Sequence, residues 1–320
     1  MLAAFTDRFD AAHPLAALSV GERPLPAPAE GWVRVKVIAA ALNHHDLWSL
    51  RGGEAMRQRG GAGLSHADLP RILGMDAAGV SEDGAPVILH PLISTPQFGV
   101  LSGRYDGTFA EYVCVPRENL VAKPAALGWE EAACLPTAWL TAWRMLFEKA
   151  RVEPGGSILV QGASGGLSTA LVMLAKAAGL RVFVTGRSAA SRAFARALGA
   201  DDAVEPGARL PERVDAAMDS VGPATWDHSL KCLKRGGVMV VPGGTTGYSA
   251  TVDIARLFTM DLSIVGSAMG SRAQLEALAA FCAAHGLRPP VARVLPLGEA
   301  AAGFAALERG AVGGKIVLRP

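Results

Sequence analysis

The amino-acid sequence predicts an α/β protein in which a mostly β region precedes a doubly wound parallel sheet. Three observations predict it. Residues 1 to about 122 hold short apolar stretches between glycines and prolines, such as WVRVKVIAA, APVILHP and FAEYVCVP. From about residue 123, continuous apolar strands alternate with helices, as in a parallel sheet covered on both faces. A glycine-rich turn joins the first of these strands to its helix.

In the first region, the alternation Val33-Arg34-Val35-Lys36-Val37 predicts a strand with one face in solvent. The second region reads, in order, as strand SILVQGA, helix STALVMLAKAAG ending at Gly179, strand RVFVTG, helix SAASRAFARALGA and short strand DDAV. Three later strands are AAMDSVG, GVMVVPGG and SIVGSAM.

The last portion, residues 268 to 320, predicts helix RAQLEALAAFCAAHG, strand VARVLPL, helix EAAAGFAALERG and strand KIVLRP. This tail is too short to bury a core of its own. We therefore expect it to return and complete the first region.

Composition restricts the class of protein. Half of the 320 residues are hydrophobic, 19% are charged and the formal net charge is +2, which favours an ordinary globular chain and gives no sign of a nucleic-acid or membrane partner. The start MLAAFTDRFD lacks the pattern of a signal peptide, so we expect a cytoplasmic enzyme. The four cysteines lie too far apart for a zinc ribbon, and we expect them to be buried apolar residues.

The glycine-rich turn predicts a dinucleotide phosphate site. Small residues let backbone N–H groups approach a pyrophosphate, and the helix behind them adds partial positive charge. Ser168 replaces the last glycine of the usual fingerprint. The predicted contacts of this turn are Gly162, Ala163, Ser164, Gly165, Gly166 and Leu167.

The acidic residue that usually binds the ribose 2′-hydroxyl of NAD is missing, and the chain there reads Thr185-Gly186-Arg187-Ser188. Gly186 leaves room, Ser188 can donate a hydrogen bond, and Arg187 and Arg192 can pair with a 2′-phosphate. This segment predicts NADP(H) as the cofactor. The alternative is that the arginines only solvate the start of a helix.

With these residues in view, the chain resembles the medium-chain dehydrogenase/reductase superfamily, above all its quinone-oxidoreductase-like and zinc-alcohol-dehydrogenase-like branches. The resemblance rests on ALNHHDLWSLRGG, PRILGMDAAGV, GTFAEYVCVP, EEAACLPTAWLTAWRML, the glycine turn, DSVGPATWDHSLKCLKRGG and GGKIVLRP. It implies a GroES-like β-barrel catalytic domain, residues 1–122 plus 268–320, with a Rossmann NADP-binding domain inserted at 123–267. It also implies an active site in the cleft.

Zinc-dependent members place three ligands where this chain has Asn43, Met75 and Thr137. Zinc favours thiolate, imidazole and carboxylate, so we expect no catalytic metal. The cysteine-rich lobe of a structural zinc is also missing. We do not expect His44 and His45 to form a substitute metal site, because we expect them in an extended segment where neighbouring side chains point to opposite faces.

The resemblance also implies site residues. Asn43 falls near the nicotinamide ribose and could donate to the cofactor or to a substrate oxygen. His44, His45 and Tyr105 are candidate proton donors, with solvent as the alternative. Further cofactor contacts are expected at Thr137, Thr141, Ser220, Val221, Gly243, Gly244, Gly266, Ser267, Ala268 and Lys315. Asp219 is expected to order its own turn.

Four aromatic residues fall in segments that border the cleft in relatives: Trp48, Trp139, Trp143 and Phe258. They suit a small hydrophobic carbonyl or quinone substrate, unless they belong to the core. The resemblance implies a homodimer formed through the SIVGSAM edge of the Rossmann sheet.

The sequence therefore predicts a zinc-independent, NADPH-dependent reductase of quinones or α,β-unsaturated carbonyls. Two alternatives stay open. One is a metal-free alcohol or carbonyl dehydrogenase, or a reductase dedicated to one pathway. The other is a catalytically silent NADPH-binding sensor or structural protein.

Overall fold

The computed structural model describes residues 1–52, 64–310 and 313–320. The chain divides into two compact units, residues 1–137 with 271–320 and residues 138–270. The predicted domain limits differ from these units by the segments 123–137 and 268–270. Within the described residues, none of the helices is both long and apolar enough to cross a bilayer.

The strands are β1 Leu2–Thr6, β2 Leu18–Glu22, β3 Trp32–Ala41, β4 Arg71–Ile72, β5 Asp76–Ser81, β6 Pro86–Leu89, β7 Leu92–Ile93, β8 Gly99–Val100, β9 Tyr112–Pro116, β10 Leu120–Ala122, β11 Ser157–Gln161, β12 Arg181–Thr185, β13 Asp202–Val204, β14 Val214–Met218, β15 Leu233–Val241, β16 Ser263–Gly266, β17 Val291–Pro296 and β18 Lys315–Arg319. The α-helices are His44–Arg51, Trp129–Ala133, Leu140–Trp143, Gly166–Ala177, Ala189–Ala197, Trp226–Cys232, Ile254–Thr259, Arg272–Ala284 and Ala300–Arg309. Short 3₁₀ helices lie at Pro14–Ala17, His66–Asp68, Arg117–Asn119 and Leu297–Glu299, and π-helical turns at Leu135–Trp139 and Arg144–Ala150.

Strand β3 organises the first unit. It pairs antiparallel with β5, β9 and β18 in a seven-stranded sheet, and β17 lies parallel to β18. Val33, Val35 and Val37 are buried while Lys36 is exposed, which confirms the predicted alternation. The pairing of Val317 with Ala41 shows that the tail returns to complete this unit, as expected.

A glycine holds the turn between β4 and β5 in place. Gly74 has φ of +96°, a conformation that favours glycine. A Cβ at this position would lie 2.5 Å from Cδ1 of Phe109, whose ring packs edge-on against Phe304 in the core. The core therefore fixes the path of the chain just before Asp76, a residue of the candidate site.

The second unit contains a six-stranded parallel sheet in the order β13-β12-β11-β14-β15-β16. Numbered within the unit this is 3-2-1-4-5-6, the order of a Rossmann domain. All five residues of β11 are buried, as expected for a central strand covered on both faces. The strand order reverses between β11 and β14, so the carboxyl ends of these strands mark the expected ligand edge.

One local prediction is wrong. The segment containing His44 and His45 is a helix from the first of these residues, and it is not extended. The reason is capping: Asn43 has extended backbone angles, and the carboxylate of Asp46 accepts a hydrogen bond from the Asn43 backbone N–H. Successive helical side chains are about 100° apart, so the two imidazoles still do not share a face.

Candidate functional site

The glycine turn leaves its backbone open to a ligand. Gly162 has φ of +93°, and the helix Gly166–Ala177 starts directly after Gly165. Gly165 is exposed, and a Cβ there would meet no atom within 4 Å. The first turn of the helix carries no acidic residue. The N–H groups of a first turn have no partner within the helix, so this end can accept an anion such as a pyrophosphate.

The predicted 2′-phosphate segment is built around Gly186. A Cβ on Gly186 would lie 2.8 Å from Cγ of Arg192 and 3.0 Å from Cβ of Ala163. The missing side chain therefore makes room for the arginine itself. Nη1 of Arg192 donates to the Gly186 carbonyl oxygen at 2.8 Å, and Nη2 lies 3.2 Å from Oε1 of Glu205. The guanidinium keeps further N–H groups for another acceptor.

The neighbouring residues complete this segment. Arg187 and Ser188 are exposed. Ser188 caps the helix Ala189–Ala197, because its hydroxyl oxygen accepts a hydrogen bond from the Ser191 backbone N–H at 3.1 Å. The hydroxyl hydrogen of Ser188 stays available as a donor. Sequence reasoning missed Glu205, since a carboxylate after the next strand can be placed beside Arg192 only once strand order is known.

Thr185 belongs to a hydrogen-bond network behind the glycine turn. Its hydroxyl donates to Oε1 of Gln161 at 2.6 Å and accepts from the Gly162 backbone N–H at 3.2 Å. Nε2 of Gln161 then donates to Ser229. Ser229 in turn donates to Asp219, which also accepts from the backbone N–H of Val221. Asp219 thus orders its own turn, as predicted, and Thr185 braces the glycine turn.

The other predicted cofactor contacts of this unit follow parallel strands. Ser220 and Val221 come after β14, Gly243 and Gly244 after β15, and Gly266, Ser267 and Ala268 end or follow β16. Because these strands run parallel to β11, their carboxyl ends lie at the same edge as the glycine turn. Thr141 lies half-buried in the helix Leu140–Trp143.

The first unit contains a buried polar group, the Lys315 cluster, formed by Asn43, Asp46, Asp76, Thr137 and Lys315. Nζ of Lys315 donates to Oδ1 of Asn43 at 2.5 Å and lies 3.4 Å from Oδ2 of Asp76. The Asn43 amide donates to the same Asp76 oxygen at 2.9 Å, and the Thr137 hydroxyl donates to Oδ1 of Asp76 at 2.5 Å. The side chain of Asp76 is fully buried and that of Lys315 is 4% exposed.

Burial and neighbouring charges shift the pKa values of Asp46, Asp76 and His44. Burial raises the pKa of Asp46 to about 7, and the Asp76 charge adds to the effect. Burial also raises the pKa of Asp76, while Lys315 acts against it. Partial desolvation, followed by the charges of Lys315 and Arg51, lowers the pKa of His44. A neutral His44 imidazole is therefore favoured near pH 7.

The predicted catalytic residues differ in their hydrogen bonds and in their exposure to solvent. Both amide hydrogens of Asn43 face protein acceptors, Asp76 and, at 3.4 Å, the Ala41 carbonyl. The Tyr105 hydroxyl donates to the Gln97 carbonyl oxygen at 2.7 Å, and its ring packs on Trp32. His45 is half-buried, whereas His44 is exposed.

The predicted pocket aromatics do not share one environment. Trp139 is fully buried, which makes it a core residue, as the alternative held. Trp143 packs against Phe147 with ring centroids 4.3 Å apart. Trp48 is half-buried on the helix His44–Arg51, and Phe258 is 71% exposed. A ring as exposed as that of Phe258 forms no wall of a closed pocket in this chain.

The donor set does not fit a catalytic zinc ion. Asn43 and Thr137 are committed to hydrogen bonds within the Lys315 cluster, and Met75 offers only a thioether. Burial raises the pKa of the nearby Cys134 thiol to about 12. Among residues 1–52, 64–310 and 313–320, no group of three His, Cys, Asp or Glu is arranged to hold a metal.

Comparison with known proteins agrees with this architecture. The profile of the alcohol dehydrogenase GroES-like domain matches residues 29–125, and that of the zinc-binding dehydrogenase domain matches residues 166–284. A zinc-type alcohol dehydrogenase-like protein of Schizosaccharomyces pombe is 30% identical over 90% of this chain and 91% of its own. The acryloyl-coenzyme A reductase of Metallosphaera sedula is 29% identical over 92% and 93%.

A solved structure of an NAD-dependent alcohol dehydrogenase is 33% identical, covers 100% of both chains and superposes with a TM-score of 0.89. These matches span both units. The chain therefore belongs to the medium-chain dehydrogenase/reductase superfamily and is an oxidoreductase with a GroES-like domain and a Rossmann domain.

Proposed function

We propose that this protein transfers a hydride from NADPH to a small hydrophobic α,β-unsaturated carbonyl compound or quinone without a metal ion. The observation that carries the proposal is the donor set: Asn43, Met75 and Thr137 stand at the three ligand positions, and two of them are bonded within the Lys315 cluster. Without a Lewis acid, a conjugated acceptor is easier to reduce than a simple ketone, because its negative charge spreads onto an enolate oxygen. The relative named acryloyl-coenzyme A reductase supports this substrate class.

The second unit holds the cofactor in this proposal. Bound nicotinamide supplies the hydride. The turn Gly162–Leu167 binds the pyrophosphate, and Arg187, Ser188 and Arg192 bind the 2′-phosphate. Because the 33% identical solved structure is described as NAD-dependent, preference for the phosphorylated cofactor depends on this basic segment alone.

The first unit offers one exposed candidate to assist the substrate oxygen. His44 begins its helix, is exposed and has a lowered pKa. A neutral imidazole can still donate one hydrogen bond to a developing enolate oxygen. Asn43 and Tyr105 donate to protein acceptors and are less suited to this role.

A substrate panel tests the proposal. Purified protein is mixed with NADPH and with quinones, cyclic and acyclic enones, an acrylyl thioester or simple ketones, and NADPH oxidation is followed by absorbance. Alcohols are assayed with NADP⁺, and NADPH formation is followed. We expect turnover with the conjugated acceptors and none with simple ketones. Turnover with ketones or alcohols alone would instead indicate a metal-free alcohol dehydrogenase. Tight NADPH binding without any turnover would indicate a silent NADPH-binding protein.

Replacing Arg187 and Arg192 by alanine should weaken NADPH binding and leave NADH binding nearly unchanged. Each lost charge-assisted hydrogen bond is worth roughly 1–3 kcal/mol, or about 5- to 150-fold in dissociation constant. Calorimetry or cofactor fluorescence measures both constants. Arg181→Ala is the control, because this arginine lies at the other end of β12 and pairs with Glu212. Equal losses for the two cofactors would contradict the assignment.

We propose a homodimer formed through the outer strand β16. This strand lies at the edge of the parallel sheet, and the helix before it exposes Ile254 and Phe258, which are 69% and 71% exposed. Unpaired strand edges beside exposed apolar side chains favour association. Light scattering should show a dimer that Ile254→Arg with Phe258→Arg converts to monomer. Phe98→Arg, on a ring that is 66% exposed, should have no effect. A monomeric wild type would refute the proposal.

A further inference from the structure

A series of hydrogen bonds connects the glycine turn to an imidazole. Gln161 ends β11, directly before Gly162, and its side-chain Nε2 lies 3.0 Å from Nδ1 of His228. His228 is half-buried on the helix Trp226–Cys232. Its other ring nitrogen, Nε2, lies 2.9 Å from the carbonyl oxygen of Ala208. The imidazole therefore links the glycine turn to the segment that follows β13.

The direction of these hydrogen bonds is fixed at one end by Asp219. This carboxyl group is fully buried and accepts from the backbone N–H groups of Val221 and Gly222. Its Oδ2 accepts from the Ser229 hydroxyl at 2.7 Å, which uses the only hydrogen of that hydroxyl. The Ser229 oxygen must then accept from the Gln161 side chain, 2.9 Å away, so the atom of Gln161 that faces Ser229 is the amide nitrogen.

The direction is fixed at the other end by the glycine turn. The Thr185 oxygen accepts from the Gly162 backbone N–H at 3.2 Å, and the Thr185 hydroxyl donates to Oε1 of Gln161 at 2.6 Å. Gln161, Thr185 and Ser229 are all buried, so bulk water offers no alternative partner. The amide therefore has one favourable orientation, with Oε1 toward Thr185 and Nε2 toward Ser229 and His228.

The neighbours of His228 require a neutral ring. The Gln161 amide directs an N–H at Nδ1, so Nδ1 must accept. The Ala208 carbonyl can only accept, so Nε2 must carry the ring hydrogen. A protonated imidazole would place a second N–H at Nδ1, against the N–H of Gln161. Turning the amide over would remove this conflict, but it would take the acceptor Oε1 away from Thr185.

We propose that His228 is a positioning residue for the cofactor. Its neutral ring orients the Gln161 amide, the amide orients the Thr185 hydroxyl, and that hydroxyl holds the N–H of Gly162, where the chain turns with φ of +93°. Protonation of His228 loosens the glycine turn and weakens cofactor binding. This inference rests on the proposed binding of the pyrophosphate at the glycine turn. It does not depend on the substrate or on the 2′-phosphate.

Other groups that carry charge surround the ring. They are Asp219, Asp227, Lys231 and Cys232, together with Arg213 and Arg256, whose charges act on Cys232. Sγ of Cys232 lies 3.4 Å from Nε2, and burial raises the pKa of this thiol. The partners that face the two ring nitrogens most closely are an uncharged amide and a backbone carbonyl. A test must therefore remove the imidazole and keep these neighbours.

Two amide variants separate the ring nitrogens. His228→Asn places an amide oxygen near the position of Nδ1, where it can accept from Gln161, whereas His228→Gln reaches the position of Nε2. NAD⁺ and NADP⁺, which are stable in acid, are titrated calorimetrically at pH 8. We expect His228→Gln to bind both cofactors about 5- to 10-fold more weakly, the effect of one lost hydrogen bond. His228→Asn should bind both within about 2-fold of wild type.

The pH dependence of binding gives a readout that a purely structural role would not change. Between pH 8 and pH 5, which includes the range where imidazoles titrate, wild type should lose about 5- to 10-fold more affinity than His228→Asn, whose amide does not titrate. The comparison cancels the titration of the cofactor phosphates. His285→Asn is the control, because His285 belongs to the other unit and stacks on Phe281. It should keep the wild-type pH dependence.

A measurement on the wild type needs no variant to fold. The ¹⁵N chemical shifts of the imidazole nitrogens, assigned by their loss in His228→Asn or by through-bond correlation, should show the neutral form with hydrogen on Nε2 at pH 8. Hydrogen on Nδ1 would overturn the proposal. So would equal cofactor affinity of the Asn and Gln variants, or the same pH dependence in wild type and His228→Asn. The substrate panel tests the proposed reaction separately, since these binding measurements need no substrate.

Discussion

Lys315→Met is expected to destabilise the folded protein by about 3–5 kcal/mol, the usual cost of removing one partner of a buried ion pair. The substitution keeps most of the apolar stem but leaves Asp76 buried without its counter-charge. Since burial already raises the pKa of Asp76, losing Lys315 should raise it further. The cost should therefore shrink on acidification, when a protonated Asp76 needs no cation. Urea unfolding at pH 6 and pH 8.5 measures both effects.

A double-mutant comparison isolates the pair. Adding Asp76→Asn to Lys315→Met should recover much of the lost stability, because no unpaired charge stays in the interior. Lys234→Met is the matched control: its pair with Asp215 is 39% and 35% exposed, and such pairs contribute about 0–1 kcal/mol. If Lys315→Met cost no more than Lys234→Met, the Lys315 cluster would have no special part in stability.

Asp46 should make the protein less stable as pH rises through the neutral range. Its pKa is about 7 in the folded protein and about 3.8 when unfolded, so between these values the folded state binds the extra proton. The stabilisation of the folded state by the protonated Asp46 carboxyl is fully present below about pH 4. It is lost as pH rises from there through about 7, at about 1.4 kcal/mol of unfolding free energy for each pH unit. Relative to wild type, Asp46→Asn should thus gain about 3 kcal/mol between pH 5 and pH 8.

Asp46→Asn keeps an oxygen that can accept from the Asn43 backbone N–H, so the helix cap is retained. Asp215→Asn provides the opposite case. Hydrogen bonds and the charge of Lys234 lower the pKa of Asp215, so its contribution is lost only on acidification below its unfolded pKa. The difference in unfolding free energy between Asp215→Asn and wild type should not change between pH 5 and pH 8. If the difference in unfolding free energy between Asp46→Asn and wild type also did not change with pH, the raised pKa of Asp46 in the folded protein would be contradicted.

The elements that sequence reasoning placed well are those whose pattern is local. Alternation in β3, the continuous apolar run of β11 and the glycine turn before the helix Gly166–Ala177 each lie within about ten residues. The ends of some elements differ from the predictions: β15 begins at Leu233, four residues before the predicted strand. The start of the helix at His44 was missed although its capping pair, Asn43 and Asp46, is local, because the two histidines were interpreted as part of an extended segment.

The basic segment shows where sequence reasoning reached its limit within the Rossmann domain. The exchange of an acid for Gly186-Arg187-Ser188 is visible in the sequence, and it carries the NADP(H) proposal. The contact between Arg192 and Glu205 is not visible, because it joins the start of one helix to the end of the next strand. A carboxylate beside the proposed phosphate site was found only in the structure.

The sequence by itself determined the fold class and the glycine-rich turn between a strand and a helix. It also shows Asn43, Met75 and Thr137 at the positions where the resemblance implies zinc ligands. Each of these features is written in neighbouring residues or in motif order. Only the tertiary structure decided which side chains surround these positions. Lys315 meets Asn43 and Asp76 across 272 and 239 positions of the chain. That meeting depends on the register of β18 against β3 and on the close approach at Gly314. Contacts of this range follow from sheet pairing and burial, which no local pattern specifies.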